Sequence, residues 1–521
     1  MNLVSRSAAV LVALSGLSFP ALARHEPETA ASVLKQVRAA IGYDNLKKHS
    51  QGIEATGTAK VLTMDSTFSL IYSGDRAVVQ RIDGPVSIVT AIDGDKVWVT
   101  DIGGESHPVF GADRDNAELG LSFITGGFLS DSSSLAFSLD TLNADAGTAI
   151  LHFTRTGSPV TGSVTIDRAT WLPSTWKYTT GPSESTVILA DYRDFGGVKL
   201  PGSIATSSTS GAHISIKIAD IKQAPTFIRS PYQMIDAPPA DTAFDASISP
   251  EIEVVRAPTG HLLVHPTVNG KDIGWFIFDT GAGNMVLSTP EIAALGITPF
   301  GDVPATGVGG VSKASFCRPE TLTLGPVTMS KPLMVGIDLS FLEQHMGRKV
   351  AGLIGYNLLA RTTCRIDMAT PAISIHDPET FKDPAVKWQA LVLEQRIPGV
   401  EASFEGHKGL FKLDTGAAQM SVSMHQPAVD RLKLLDGRAT TDSLAGGVGG
   451  VVKTKKGNLA WFELGGKRIE NVAAEFAMES KGAFADPYTL GNIGGVLLKP
   501  FILVTDYRHN RIAFIERPVT K

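Results

Sequence analysis

The chain has little cysteine, little net charge and no apolar run long enough to cross a membrane. Two cysteines, Cys317 and Cys364, occur in 521 residues, so no disulfide framework can carry the fold. A single bridge would need their Cα atoms within about 4.4–6.8 Å; two separate buried thiols are the plainer alternative. The net charge is −5 at pH 7, and Lys and Arg are scattered, which leaves no basic footprint for nucleic acid. No segment offers about 20 uninterrupted apolar residues, as a transmembrane helix requires. His-Glu-x-x-His, Gly-x-Ser-x-Gly and Gly-Lys-Ser/Thr are all missing from the sequence. Metallohydrolase, serine-hydrolase and phosphate-loop chemistries therefore lack a site, and no metal or cofactor is called for.

What is present starts with an export signal. Arg6, an apolar stretch from Ala8 to Leu17, and Pro20-Ala21-Leu22-Ala23 before Arg24 read as a secretory signal over residues 1–23. The mature chain is thus expected in a bacterial periplasm or outside the cell. Val33, Leu34, Val37 and Ile41 have helical spacing, with Gly42 as a stop. From Gly52 to about Ile228, alternating and β-branched runs broken by Asp-Gly and Gly-Gly turns predict antiparallel strands. Trp98, Trp171 and Trp176 are expected in the core. Residues 235–250, with Pro238-Pro239 and no period, read as a linker. The expected domains are 24–234, then 251–380 and 391–521, the last two separated by a short link at 381–390.

The last two regions repeat one another. Phe278-Asp279-Thr280-Gly281-Ala282-Gly283 recurs as Leu413-Asp414-Thr415-Gly416-Ala417-Ala418, an offset of 135 residues (414 − 279). Gly307-Val308-Gly309-Gly310 recurs as Gly447-Val448-Gly449-Gly450, and Leu353-Ile354-Gly355 as Asn492-Ile493-Gly494. Three landmarks in one order make a duplicated domain. Two carboxyls close together cannot both ionise readily, so the pair shares a proton and can act as base and acid at once.

Together these residues resemble the retropepsin-like aspartic peptidases. The resemblance implies a mainly β chain in which two tandem acid-protease lobes follow an antiparallel β half-barrel with an amino-terminal helix. It implies Asp279 and Asp414 as the catalytic dyad of an endopeptidase acting on polypeptide, with no cofactor and with both lobes in one monomeric chain. Thr280 and Thr415 are then expected to bond across the pseudo-twofold axis, beside Gly281 and Gly416. Ala282, Gly283, Ala417 and Ala418 would line subsites, and the two glycine runs, 307–310 and 447–450, would form flaps over a bound peptide. Lys412 takes a position usually apolar in the family; it either lines a subsite and favours acidic side chains, or snorkels to the cleft rim. Asp93 to Trp98 and Asp191 to Pro201 loosely resemble the half-barrels of lipoprotein-sorting carriers. That resemblance leaves open a lipid or lipoprotein carrier with an apolar ligand in the amino-terminal domain, and the lobes leave open a peptide-binding scaffold without turnover.

Overall fold

The computed structural model describes residues 28–46, 52–73, 77–140, 147–224, 230–307, 310–447 and 450–517. The expected signal segment and the flap tips Val308, Gly309, Val448 and Gly449 lie outside the described residues. The first helix is Ala30–Ile41, buried through Val33, Val37 and Ile41. Thr29 caps it by accepting a hydrogen bond from the Ser32 amide at 3.1 Å. Gly42 ends it with a φ of 72°, a left-handed turn that glycine adopts without Cβ strain.

A 13-stranded antiparallel sheet follows, in which its first strand in the chain, Ile53–Val61, pairs with its last, His213–Gln223. One face packs on Ala30–Ile41 and on a second helix, Gly111–Thr125, with Phe123 stacked on Trp176 at 3.8 Å. This second helix falls in a stretch read as strand-rich. Nine of its fifteen residues are buried, so no single apolar stripe advertises it. Trp98 and Trp176 are core residues as expected, whereas Trp171 is only partly buried, in a left-handed turn at φ 58°.

Each later lobe is built on an eight-stranded sheet, and the two sheets have the same strand order. Trp275–Phe278 lies parallel to Val350–Ile354 in one, and His407–Asp414 parallel to Gly491–Gly494 in the other. A six-stranded sheet joins the lobes through Thr363–Asp367 paired with Phe501–Asp506. Asp367 and Asp506 brace the turns that follow, accepting from the amides of Ala369 (2.8 Å) and His509 (3.2 Å). Inside the stretch read as linker, Thr242–Phe244 forms a strand against Val327–Ser330. Edge pairing through the backbone satisfies this segment without any side-chain period. Cys317 and Cys364 are separate, buried and free.

Each lobe meets the amino-terminal sheet differently. Leu263, Ile277, Val335 and Val350 of the first lobe belong to one apolar cluster with the amino-terminal core. The second lobe meets it through polar groups: the Tyr488 hydroxyl donates to Asp115 Oδ2 at 2.6 Å, and the Gln395 amide to Asp113 Oδ2 at 3.1 Å.

Candidate active site

Strand alternation sends Phe278 and Leu413 into the core, 1% and 0% exposed, and turns the aspartates that follow toward the interface between lobes. Thr280 and Thr415 then lock the two loops together. Each threonine amide donates to the other's hydroxyl at 3.0 Å. Each hydroxyl in turn donates to a carbonyl of the opposite strand, Leu413 at 2.9 Å and Phe278 at 3.0 Å. Every polar atom in this buried crossing is thereby paired. Gly281 and Gly416 are required by proximity: a Cβ on Gly281 would stand 2.5 Å from the Asp414 carboxyl, and one on Gly416 2.5 Å from that of Asp279.

The two carboxyls are hydrogen-bonded to each other but not equivalently held. Asp279 Oδ1 accepts from the amides of Gly281 at 2.8 Å and Gly416 at 3.2 Å. Asp414 Oδ1 accepts from Ala417 at 3.0 Å. Burial raises both above the ordinary carboxyl range. For Asp279 the amide donors pull back against burial. For Asp414 burial and the charge of Asp279 together push the value up to about 7. The pair therefore favours sharing one negative charge and one proton, with more amide donors gathered on Asp279 than on Asp414.

The expected bracing turns sit behind these loops. The Tyr356 amide donates to Ala282 O at 2.9 Å and the Gly495 amide to Ala417 O at 3.1 Å. Asn357 Oδ1 accepts from the Met285 amide at 2.7 Å. The glycine runs are hairpins as expected, with Gly307 paired to Gly310 and Gly447 to Gly450. Leu444 and Val451 of the second hairpin are exposed.

Lys412 requires a correction. It neither lines a subsite nor reaches the rim: it is 4% exposed, with Nζ 2.5 Å from Glu394 Oε2 and 2.8 Å from Asp486 Oδ2. Glu394 and Asp486 lie too far from Lys412 in sequence for any local pattern to have announced the pairing. Ala418 likewise offers no side chain to a peptide, because it is buried beneath Gly260. Gly283 lies under the Gln395 carbonyl, which a Cβ would meet at 2.9 Å.

Two further residues at the site, His261 and Arg396, escaped the sequence reading. Arg396 Nη1 donates to Asn284 Oδ1 at 2.9 Å. His261 Nε2 lies 2.7 Å from Gly416 O. Both stand 18 residues before an aspartate (279 − 261 and 414 − 396), so extending the repeat toward its start would have paired them.

Among the described residues, no group of three or more His, Cys, Asp or Glu is placed to hold a metal ion, and no helix is long and apolar enough to cross a membrane. No curated protein matches the chain significantly. Among solved structures, a LolA-superfamily protein from Nitrosomonas europaea is similar over 40% of this chain and 98% of its own, at 11% identity and TM-score 0.29. A DUF1329-family protein from Desulfovibrio piger is similar over 39% and 97%, at 12% identity and TM-score 0.28. Residues 264–358 and 400–492 each match the aspartyl protease family model, so the two lobes are tandem aspartyl protease-like domains.

Proposed function

We propose that the protein is an exported aspartic endopeptidase that hydrolyses polypeptide with Asp279 and Asp414. The observation that carries this reading is the pair of carboxyls in mutual hydrogen-bond contact, held by crossed threonines and biased toward a single shared proton. A binding scaffold has no use for a buried, half-charged pair, whose maintenance costs stability at neutral pH.

In this mechanism, ionised Asp279 takes a proton from a water molecule as its oxygen attacks the peptide carbonyl carbon. Asp414 donates its proton to the carbonyl oxygen, which becomes a hydroxyl of the tetrahedral intermediate. Collapse reforms the carbonyl and breaks the C–N bond. The nitrogen leaves with the proton that Asp279 had taken up, and the hydroxyl proton returns to Asp414, so the dyad ends as it began. The paired glycine hairpins would close over an extended peptide and offer main-chain hydrogen bonds. The signal-like pattern of residues 1–23 supports export.

Peptide-library cleavage between acidic and neutral pH tests the reading. Wild type should cleave, while D279N and D414N, each folded, should not. Equal cleavage by all three would overturn the assignment.

A further inference from the structure

The pseudo-twofold symmetry is broken at one point next to the dyad. His261 and Arg396 are equivalent by position, each at the end of the turn joining the first two strands of its lobe's sheet. Each reaches across to the opposite lobe, but to different ends. Arg396 holds the side chain of Asn284, five residues beyond Asp279. His261 holds main chain: its Nε2 is 2.7 Å from the carbonyl oxygen of Gly416, whose own amide donates to Asp279 Oδ1 at 3.2 Å and whose carbonyl shares a peptide group with the Ala417 amide, the donor to Asp414 Oδ1 at 3.0 Å. On the other side, the Gly281 amide turns to its own aspartate at 2.8 Å. Both loop glycines thus donate to Asp279.

A carbonyl oxygen only accepts, so His261 Nε2 carries the hydrogen. Nδ1 lies 2.7 Å from the Thr259 hydroxyl. Burial holds the ring below the ordinary histidine range, which favours its neutral form. Asp414 is the acidic group that acts on the ring, and the ring acts back on Asp414, favouring its ionised form. Arg256, on the same hairpin, is spent on the carbonyls of Gly260, Met368 and Ala369. From the helix Ser340–Met346, the contact is the Met346 sulfur, 3.0 Å from the Thr259 hydroxyl.

We propose that His261 is a positioning residue of the dyad: it fixes the Gly416 loop so that the Gly416 amide meets Asp279 and the Ala417 amide meets Asp414, and thereby sets how the pair shares its proton. The proposal rests on reading the two aspartates as one dyad.

The test compares wild type, H261A and H261Q, the last able to return an N–H near the Nε2 position. Carboxyl carbon NMR of aspartate-labelled protein, with D279N and D414N used to assign the two signals, follows the titration without turnover. The pH dependence of kcat and KM is measured in parallel. In wild type, Asp279 should ionise first. In H261A its titration should rise by about one pH unit, and kcat at acidic pH should fall about tenfold while KM changes little. H261Q should stay close to wild type in both readouts. A folded H261A whose carboxyls titrate as in wild type would overturn the proposal, as would an H261Q as impaired as H261A. Absence of any peptidase activity in wild type would sink the functional reading instead, and the NMR titration would still decide the role of His261.

Discussion

Replacing Lys412 with leucine should unbalance a buried ionic cluster in a pH-dependent way. Lys412 Nζ is in contact with Glu394 and Asp486, all three at most 5% exposed. Burial raises Glu394 to about 7 despite the ammonium beside it, with Asp486 and Asp113 adding to the push. Asp486 is held below its ordinary range because Lys412, His425 and a hydrogen bond from Thr489 outweigh burial. A depressed carboxyl contributes stability above its unfolded pKa and loses it as pH falls through the folded one. Without the ammonium, Asp486 loses that contribution and both carboxyls must take up protons to stay buried. Removing one partner of a buried pair costs about 3–5 kcal/mol, and this loss should be complete at pH 7–8. Near pH 4, where the variant's carboxyls are largely protonated, the gap should narrow to about 1 kcal/mol. Urea unfolding of both proteins from pH 4 to 8 measures it. A loss below about 1 kcal/mol at pH 8, or one of equal size at every pH, would refute the reasoning. So would a changed cleavage preference in the folded variant, because Lys412 would then be reaching substrate.

Other expectations follow from the same geometry. D414N should abolish cleavage yet stabilise the fold above neutral pH by about 1–3 kcal/mol, because a carboxyl raised to about 7 favours the folded state only while it is protonated; an unchanged unfolding midpoint at pH 8 would contradict this. Wild-type kcat/KM should decline as pH rises through about 7, where Asp414 loses its proton, and a profile still rising at pH 8 would exclude that proton donor. T280V should lose about 1–3 kcal/mol and most of its activity while T280S keeps both, since the Thr415 amide and the Leu413 carbonyl would lose their partner; equal stability of T280V and wild type would count against the crossed bonds. Thiol titration of unfolded, unreduced protein should find two free cysteines per chain, and none if a bridge exists.

The repeat carried most of what could be read in advance. Asp279, Asp414, their threonines, the glycine hairpins and the bracing turns are local motifs whose chemistry demands particular residues at fixed spacing. The helix Ala30–Ile41 was legible because one stripe of it is buried. Lys412 was misread because strand alternation says which face a residue takes but not what covers that face. In this chain Glu394 and Asp486 cover it, supplied from opposite ends of the lobe. His261 and Arg396 were missed for a related reason: a polar residue at a turn usually faces water, and only the meeting of two lobes turns these two inward. Thr242–Phe244 pairs through its backbone, which leaves no trace in side-chain pattern.

The two seams that fasten the amino-terminal sheet to the lobes should answer to different stresses. The first-lobe seam combines apolar contact, with Leu263, Ile277 and Val335 sharing the amino-terminal core, and Arg361, which meets Glu105 and the Gly103 carbonyl; its apolar part weakens on cooling. The second-lobe seam runs through Tyr488, Asp115, Asp113 and Gln395 beside the Lys412 cluster, and it yields instead to rising pH as its elevated carboxyls ionise. Cold should therefore act chiefly on the first seam, and rising pH on both, because Glu105 at the first is also raised to about 7.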